Sequence, residues 1–147
     1  MFNNILIVCI GNICRSPITE GLFKQFALLH NIPVQISSAG LNACVGESAH
    51  PLSQQLMLEK SIDISHHRAR QISTEMVTSA DLILVMENAH LQTLKSHFPF
   101  AQGKVHLLGK WSQNEIPDPY YRTLPEFKAV FNLIEQGTLA WQTKLWN

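Results

Sequence analysis

Apolar and polar positions alternate in two different patterns along the chain. Four short runs of aliphatic or β-branched residues have the composition of strands buried in a sheet. These predicted strands are Ile5–Cys9, Val34–Ser38, Leu82–Met86 and Val105–Leu108. Each is separated from the next by a longer stretch with helical spacing.

The stretches between the runs predict helices. Ser16–Pro17 is a typical helix start, and the apolar residues that follow share one helical face. That face consists of Ile18, Leu22, Phe26 and Leu29. Two further helices are predicted over Pro51–Lys60 and Ala89–His97, and a short one in "STEMVTSA" (73–80).

The C-terminal segment has the clearest helical pattern. "TLPE" (123–126) is a capping box, in which the first and last residues satisfy backbone groups at a helix start. Six apolar residues then continue one stripe, which we expect to pack in the core. They are Phe127, Val130, Phe131, Ile134, Trp141 and Leu145.

Alternating strands and helices predict right-handed crossovers and an open parallel sheet. We therefore expect an α/β fold, a three-layer sandwich in which helices cover both faces of a four-stranded parallel sheet. Residues 1–147 are long enough for one domain with a full core. Ligands of such sheets bind beyond the carboxyl ends of the strands. The stretch "CIGNICRS" (9–16) occupies such a position.

Composition and charge exclude several classes of protein. Hydrophobic residues make up 46% of the chain, and 11 basic and 11 acidic residues give a formal net charge of zero. We therefore expect no binding to nucleic acid or to anionic membranes. The opening "MFNNILIVCI" lacks the basic flank and cleavage site of a signal peptide, and no apolar stretch is long enough to span a membrane. These features favour a cytoplasmic protein without membrane insertion.

The cysteines do not predict a disulfide framework or a metal site. There are three, an odd number, and none forms a C-x-x-C pair. Cys44 stands alone and by default is a small buried hydrophobe. No metal and no cofactor is expected.

The loop after the first strand is suited to bind an oxyanion. A loop that enters a helix offers backbone N–H groups and the positive end of the helix dipole to an anion. Gly11 permits tight curvature, and Asn12 tolerates a left-handed backbone conformation. Arg15 adds a planar guanidinium, which can bind two phosphate oxygens together. The G-x-x-x-x-G-K-[ST] pattern of a nucleotide-binding loop is absent.

Cys9 lies at the entrance of this loop. The groups that attract phosphate also stabilise a thiolate, which is the nucleophilic form of cysteine. A Cys9 thiolate beneath a bound phosphoryl group is placed for in-line attack. The Ser16 hydroxyl could hydrogen-bond the sulfur and help it leave. The spacing from Cys9 through Arg15 to Ser16 therefore predicts phosphoryl transfer.

Hydrolysis of a phosphate ester also needs an acid to protonate the leaving oxygen. Asp81 precedes a predicted strand and belongs to the wrong end of the sheet, whereas Asp118 follows the fourth strand in a proline-stiffened loop. We predict Asp118 as the acid, with Glu115 as a weaker candidate. Tyr120 and Tyr121 follow directly and suit the wall of a cleft for a flat ring.

These residues resemble the low-molecular-weight protein tyrosine phosphatases over essentially the whole chain. The similar motifs are "CIGNICRSP" (9–17), "SAG" (38–40), "HRARQ" (67–71) and "DPYY" (118–121). The opening "FNNILIVCIGNICRSP" is especially similar to bacterial members encoded with capsule or exopolysaccharide genes. The resemblance implies a phosphotyrosine phosphatase I-like fold with flavodoxin-like winding.

The resemblance also implies a role for each matching residue. Cys9 corresponds to the nucleophile, Arg15 to the group that holds the transition state, and Asp118 to the general acid and then base. The remaining residues fall into three groups. Substrate-contacting positions are Ile10, Gly11, Asn12, Ile13, Cys14, Ser16, Cys44, Tyr120 and Tyr121, loop-supporting positions are Asn12, Ser38 and His67, and Cys14 corresponds to a cysteine that can form a reversible disulfide with Cys9.

One position differs from the animal members of the family. They carry an aromatic wall residue after the "SAG" strand, where this chain offers Cys44. Substrate preference therefore cannot be transferred from the animal enzymes. By resemblance to the capsule-associated members, the expected substrate is a phosphotyrosine-containing protein, namely a membrane tyrosine autokinase.

Three alternative functions remain. A thioredoxin-coupled arsenate reductase shares this type of loop but needs further cysteines downstream, and none follows Cys44. A protein-arginine phosphatase carries threonine where this chain has Ile13. A non-catalytic phosphotyrosine-binding module would not need the full catalytic set.

Overall fold

A four-stranded parallel sheet lies at the centre of residues 2–146, the part of the chain that the computed structural model describes. Along the chain, the strands are β1 (Asn4–Cys9), β2 (Gln35–Gly40), β3 (Leu82–Val85) and β4 (Val105–Leu107). Within the sheet they lie side by side in the order β2-β1-β3-β4. The α-helices of this region are α1 (Arg15–Leu29), α2 (Pro51–Leu58), α3 (Thr74–Ser79), α4 (Asn88–His97) and α5 (Leu124–Trp146). Short 3₁₀ helices occupy Pro99–Lys104 and Lys110–Ser112.

Strand β1 is the point at which the strand order reverses. It pairs with β2 on one side and with β3 on the other, both in parallel. Such a reversal opens a crevice at the carboxyl ends of the strands. The carboxyl end of β1 is Cys9, so the predicted loop begins at this crevice.

Helices cover both faces of the sheet. Alternate residues of β1 point to opposite faces: Ile5 and Ile7 join one core cluster, while Leu6 and Val8 join the other. The first cluster includes buried residues of α1, α2 and α5, and the second includes residues of α3 and α4. The predicted three-layer α/β sandwich is therefore confirmed.

Two local predictions need correction. The second strand runs from Gln35 to Gly40, because "SAG" (38–40) continues the ladder with β1 and pairs with residues 7–9. In α1, Leu29 is 70% exposed, whereas Phe23, which lies outside the predicted stripe, is fully buried. The reason is that α1 packs against three neighbours, the sheet, α2 and α5, so its buried surface is broader than one stripe.

The C-terminal helix agrees closely with its pattern. The Thr123 backbone N–H donates to Glu126 Oε1 at 3.5 Å, which is the bond from the glutamate of a capping box, and Thr123 Oγ1 donates to the same oxygen at 3.0 Å. The predicted stripe is buried as far as Trp141, whose Nε1 donates to Leu107 O at 3.1 Å, and Leu145 is partly buried. Between residues 2 and 146, no helix is both long and apolar enough to cross a membrane.

Candidate active site

The loop between β1 and α1 has every backbone carbonyl from Cys9 to Ile13 bonded on its outer side. Four of these oxygens accept hydrogen bonds from backbone N–H groups of the segment after β2, at 2.7–3.0 Å. The donor and acceptor pairs are Leu41 to Cys9, Asn42 to Ile10, Cys44 to Gly11 and His50 to Ile13. The fifth oxygen, that of Asn12, lies 2.7 Å from His67 Nε2, which must carry the proton because a carbonyl only accepts.

This outer bonding determines the direction of the amide groups. In a planar trans peptide unit the N–H points opposite to the C=O, and no peptide bond among residues 2–146 is cis. The N–H groups of residues 10–14 therefore point away from the surrounding segments and towards the inside of the loop. Such a set of converging amides is an anion-binding nest, placed here at the start of α1.

Asn12 holds the loop in this shape. Its φ is 61°, in the left-handed region, as the sequence predicts. Its side-chain amide donates to Ser16 Oγ at 2.7 Å and to Ser38 Oγ at 2.9 Å, and its Oδ1 accepts from the Arg70 N–H at 2.9 Å. Ser38 Oγ in turn donates to Glu20 Oε1. The Asn12 side chain thus connects the loop to β2 and to the segment after α2.

The Cys9 thiol is 2% exposed and lies 3.0 Å from Ser16 Oγ. Because Ser16 Oγ already accepts from Asn12, its own hydroxyl proton is free to point at the sulfur. Asn12 and Ser16 are fully buried and do not line the cavity described below. Their side chains support the loop and the thiol from behind.

Arg15 is held in a buried position by residues of the segments that follow β3 and β4. Its Nη1 donates to Glu87 Oε2 at 2.5 Å and to Ile116 O at 2.8 Å, and its Nη2 lies 3.9 Å from Asp118 Oδ2. Its Nε is buried and has no hydrogen-bond partner among residues 2–146. That N–H therefore remains available to an oxyanion.

The acidic candidates have different surroundings. Asp118 lies at the cavity with its carboxyl half exposed. Glu115 Oε1 instead accepts from the Asn88 N–H at 2.7 Å, at the start of α4. Asp81 accepts from the backbone N–H groups of Asn3 and Asn4, at the amino end of the sheet. Only Asp118 of these three lines the cavity.

A cavity of about 200 Å³ lies over the loop. Its lining consists of Cys9, Ile10, Gly11, Ile13, Cys14, Arg15, Asn42, Cys44, Asp118, Tyr120 and Tyr121. Tyr121 is 93% exposed, and its ring meets that of Tyr120 edge-on, with 4.5 Å between centroids. Sequence reasoning named all the lining residues except Asn42, whose backbone N–H bonds Ile10 O. Ser38 and His67 lie behind the loop, as the resemblance implies.

Glu87 is a charged residue of this site that sequence reasoning missed. It lies two positions after Val85, the carboxyl end of β3, so a systematic check of polar residues after each strand would have found it. Burial and Arg15 lower the pKa of the neighbouring His90. No three His, Cys, Asp or Glu side chains within residues 2–146 are arranged to hold a metal ion.

The other two cysteines are protonated thiols at neutral pH. Burial is the main cause that raises the pKa of Cys14 to about 12. Burial and then Glu47 raise the pKa of Cys44. Neither Cys14 nor Cys44 therefore offers a thiolate that could compete with Cys9 as a nucleophile.

Comparison with known proteins gives consistent matches. The profile of the family "Low molecular weight phosphotyrosine protein phosphatase" matches residues 4–147. The chain is 42% identical over 146 residues to the low molecular weight protein-tyrosine-phosphatase Wzb of Salmonella typhimurium, covering 99% of this chain and 95% of that protein.

Solved structures agree with the sequence matches. The tyrosine phosphatase Wzb from Escherichia coli K30, in complex with sulphate, has a TM-score of 0.91 and 37% identity, with 99% of each chain covered. Vibrio vulnificus Wzb in complex with benzylphosphonate has a TM-score of 0.92 and 35% identity, with 99% of this chain and 100% of that chain covered. The predicted fold and tyrosine-phosphatase activity are thereby confirmed, and this activity is favoured over arsenate reduction and over a non-catalytic binding module. The chain belongs to the low molecular weight phosphotyrosine protein phosphatase family.

Proposed function

We propose that this protein-tyrosine phosphatase hydrolyses phosphotyrosine through a cysteinyl-phosphate on Cys9. One observation carries the assignment: Cys9, Arg15 and Asp118 line the same cavity, above a loop whose amides converge on one point. An oxyanion nest, a buried thiol and a half-exposed carboxyl are the three parts that this reaction needs. The family match over residues 4–147 supports treating the chain as one catalytic domain.

The first step transfers the phosphoryl group. The Cys9 thiolate attacks phosphorus in line, the bond from phosphorus to the tyrosyl oxygen breaks, and Asp118 gives its proton to that oxygen. Arg15 and the amides of residues 10–14 hold the three equatorial oxygens, whose charge is spread in the transition state. The products are the dephosphorylated tyrosine side chain of the substrate and a cysteinyl-phosphate on Cys9.

The second step releases phosphate. Water attacks phosphorus, the Asp118 carboxylate accepts the proton of that water, and the bond from phosphorus to sulfur breaks. Ser16 Oγ, 3.0 Å from the sulfur, then donates a hydrogen bond to the departing thiolate. Asp118 is protonated again and Cys9 is again a thiolate, so the enzyme returns to its starting state.

The cavity also favours aryl over alkyl phosphates. Cys9 lies at the bottom of a depression walled by Tyr120 and Tyr121, so a phosphorylated side chain must be long and flat to reach the sulfur. The Wzb of Vibrio vulnificus, similar over nearly the whole chain, was solved with benzylphosphonate, which carries such a ring. Ile13, an apolar lining residue, fits an aryl ester better than a phosphorylated guanidinium.

For the cell, we propose a cytoplasmic enzyme whose substrate is a membrane tyrosine autokinase of a capsule or exopolysaccharide system. Support comes from the opening "FNNILIVCIGNICRSP" and from the relatives named Wzb. We further propose that Cys14 protects an oxidised Cys9 as a disulfide. Both thiols line one small cavity, which supports their approach.

The test is para-nitrophenyl phosphate turnover against pH, without added metal. Cys9→Ser should abolish turnover. Asp118→Asn should slow it about 100-fold or more and flatten the fall in rate at high pH, because that fall reports loss of the acid's proton. Glu115→Gln is the matched control and should keep the wild-type profile, since Glu115 bonds the start of α4.

Three outcomes would contradict parts of the proposal. If the wild-type protein binds phosphate but gives no turnover, the loop belongs to a receptor. If Glu115→Gln flattens the profile and Asp118→Asn does not, the acid is Glu115. Faster hydrolysis of phosphoarginine than of a phosphotyrosine peptide would contradict the substrate class.

A further inference from the structure

We propose that His90 is a positioning residue for Arg15, acting through Glu87. The proposal rests on the role of Arg15 in oxyanion binding given above. His90 lies in the first turn of α4 and is 3% exposed. Nothing in the motif that contains Cys9 points to it.

The three side chains form a chain of contacts that meets at one oxygen. His90 Nε2 lies 3.3 Å from Glu87 Oε2, and the same Oε2 accepts from Arg15 Nη1 at 2.5 Å. Ile116 O is the other acceptor for Nη1, at 2.8 Å. The guanidinium is therefore held from one side by two acceptors, which leaves Nε for a ligand.

Glu87 needs a partner of its own to perform this function. Its side chain is 31% exposed, so water can compete for the carboxylate and the side chain can turn outward. An Nε2–H of His90 that donates to the oxygen facing Arg15, 3.3 Å away, would reduce that freedom. His90 is buried inside the helix packing and can supply this bond from a rigid base.

The surroundings of the ring favour one form of the imidazole. A carboxylate only accepts, so Nε2 must carry a proton to bond Glu87, and Nδ1 of the neutral ring is then the unprotonated nitrogen. Nδ1 is buried and finds no hydrogen-bond partner in the described part of the chain. A second proton there would create an unpaired buried N–H, which is costly.

The charges around His90 have opposing effects on the protonation of its ring. Arg15 disfavours the imidazolium, whereas Glu87, Asp118 and Glu115 favour it, and burial disfavours it most. The neutral ring has a useful consequence. It orients Glu87 without adding a cation that would compete with Arg15 for the same carboxylate oxygen.

Three substitutions separate a hydrogen-bonding role from simple packing. His90→Leu removes the donor. His90→Gln places an amide N–H close to the position of Nε2, whereas His90→Asn is shorter and cannot reach Glu87. His97→Gln is the matched control, because His97 lies in the same helix but is exposed.

Each variant is measured for kcat and KM with para-nitrophenyl phosphate, for inhibition by inorganic phosphate, and for thermal unfolding. His90→Leu and His90→Asn should lower kcat/KM about tenfold, as expected for one lost hydrogen bond to a charged group, and should weaken phosphate inhibition. The loss should lie more in kcat than in KM, since Arg15 contacts are strongest in the transition state. His90→Gln should restore most of it, and His97→Gln should match the wild type.

The proposal is wrong if folded His90→Leu keeps the wild-type kcat and phosphate affinity, or if Gln and Asn behave alike. Nitrogen chemical shifts of His90 give an independent check, because the proposal requires a neutral ring protonated at Nε2 near pH 7. Failure of the proposed function looks different. In that case the wild type itself gives no turnover, and phosphate affinity alone still compares the variants.

Discussion

The hydroxyl of Ser16 lies 3.0 Å from the thiol of Cys9, although seven positions separate the two residues. The loop between β1 and α1 curves back so that both side chains meet at the start of α1. Asn12 fixes the direction of the Ser16 hydroxyl by donating a hydrogen bond to its oxygen. The hydroxyl proton is thereby free to point at the sulfur, which in the proposed mechanism must leave when the phosphocysteine is hydrolysed.

Ser16→Ala should therefore slow the second chemical step more than the first. We expect kcat to fall about tenfold, the effect of one hydrogen bond to a charged group, and the first turnover to give a burst of para-nitrophenol. Rapid-mixing measurements of product release provide the test. Ser53→Ala is the control, because Ser53 Oγ is a buried donor to Cys14 O that does not contact Cys9. A burst in both variants, or in neither, contradicts this assignment.

Asn12 combines a left-handed backbone with three side-chain hydrogen bonds, and two substitutions separate these properties. Asn12→Gly keeps the backbone conformation but loses the bonds, for an expected loss of about 3 kcal/mol in the free energy of unfolding. Asn12→Ala should lose about 1 kcal/mol more, because its Cβ disfavours a positive φ. Denaturant unfolding measures both values. Equal stability of the two variants would contradict the backbone argument.

Gly40 ends β2 directly behind the phosphate-binding loop. A Cβ at this position would lie 2.3 Å from Ile10 O and 3.0 Å from the Cβ of Ala43, so the backbone would have to shift. Gly40→Ala should lower the free energy of unfolding by about 1–3 kcal/mol and weaken phosphate inhibition. Gly103→Ala is the control, since a Cβ there meets no atom within 4 Å. A wild-type phosphate affinity in Gly40→Ala would show that the loop tolerates the shift.

The buried thiol of Cys14 predicts a loss of stability at alkaline pH. Its pKa is raised to about 12, mainly by burial, whereas in the unfolded chain the thiol ionises near about 8.5. Between these values the unfolded state has released a proton that the folded state keeps. The free energy of unfolding should therefore fall as pH rises, by up to about 1.4 kcal/mol per pH unit.

Cys14→Ser provides the comparison, because a serine hydroxyl does not titrate in this range. Urea unfolding at several pH values above about 9 should give a shallower decline for Cys14→Ser than for the wild type. Parallel curves would show that Cys14 does not carry the effect.

The layered fold was predictable because its determinants are local. Strand β1 is a continuous aliphatic run, α5 has a capping box followed by a regular stripe, and alternation of the two patterns implies a parallel sheet. The exact burial in α1 was not predictable in the same way. Phe23 is buried because α1 contacts both the sheet and α5, and a single-stripe pattern describes contact with one neighbour only.

The reactive part of the site was predictable for a similar reason. Cys9, Arg15 and Ser16 lie within one loop and the first turn of one helix, so spacing and turn chemistry determine their arrangement. Asp118 required only the rule that loops after parallel strands meet at the same edge of the sheet.

The contacts that hold these reactive groups in place could not be predicted from local sequence. Glu87 contacts Arg15 across 72 positions and Arg70 contacts Asn12 across 58. Short-range patterns in the sequence are sufficient to predict the candidate nucleophile, the oxyanion loop and the layered fold. The folded molecule alone reveals that Glu87 and His90 lie behind Arg15 and that every carbonyl of residues 9–13 is bonded on the outside. Those contacts depend on strand order and register, which bring distant segments together and leave no local periodicity in the chain.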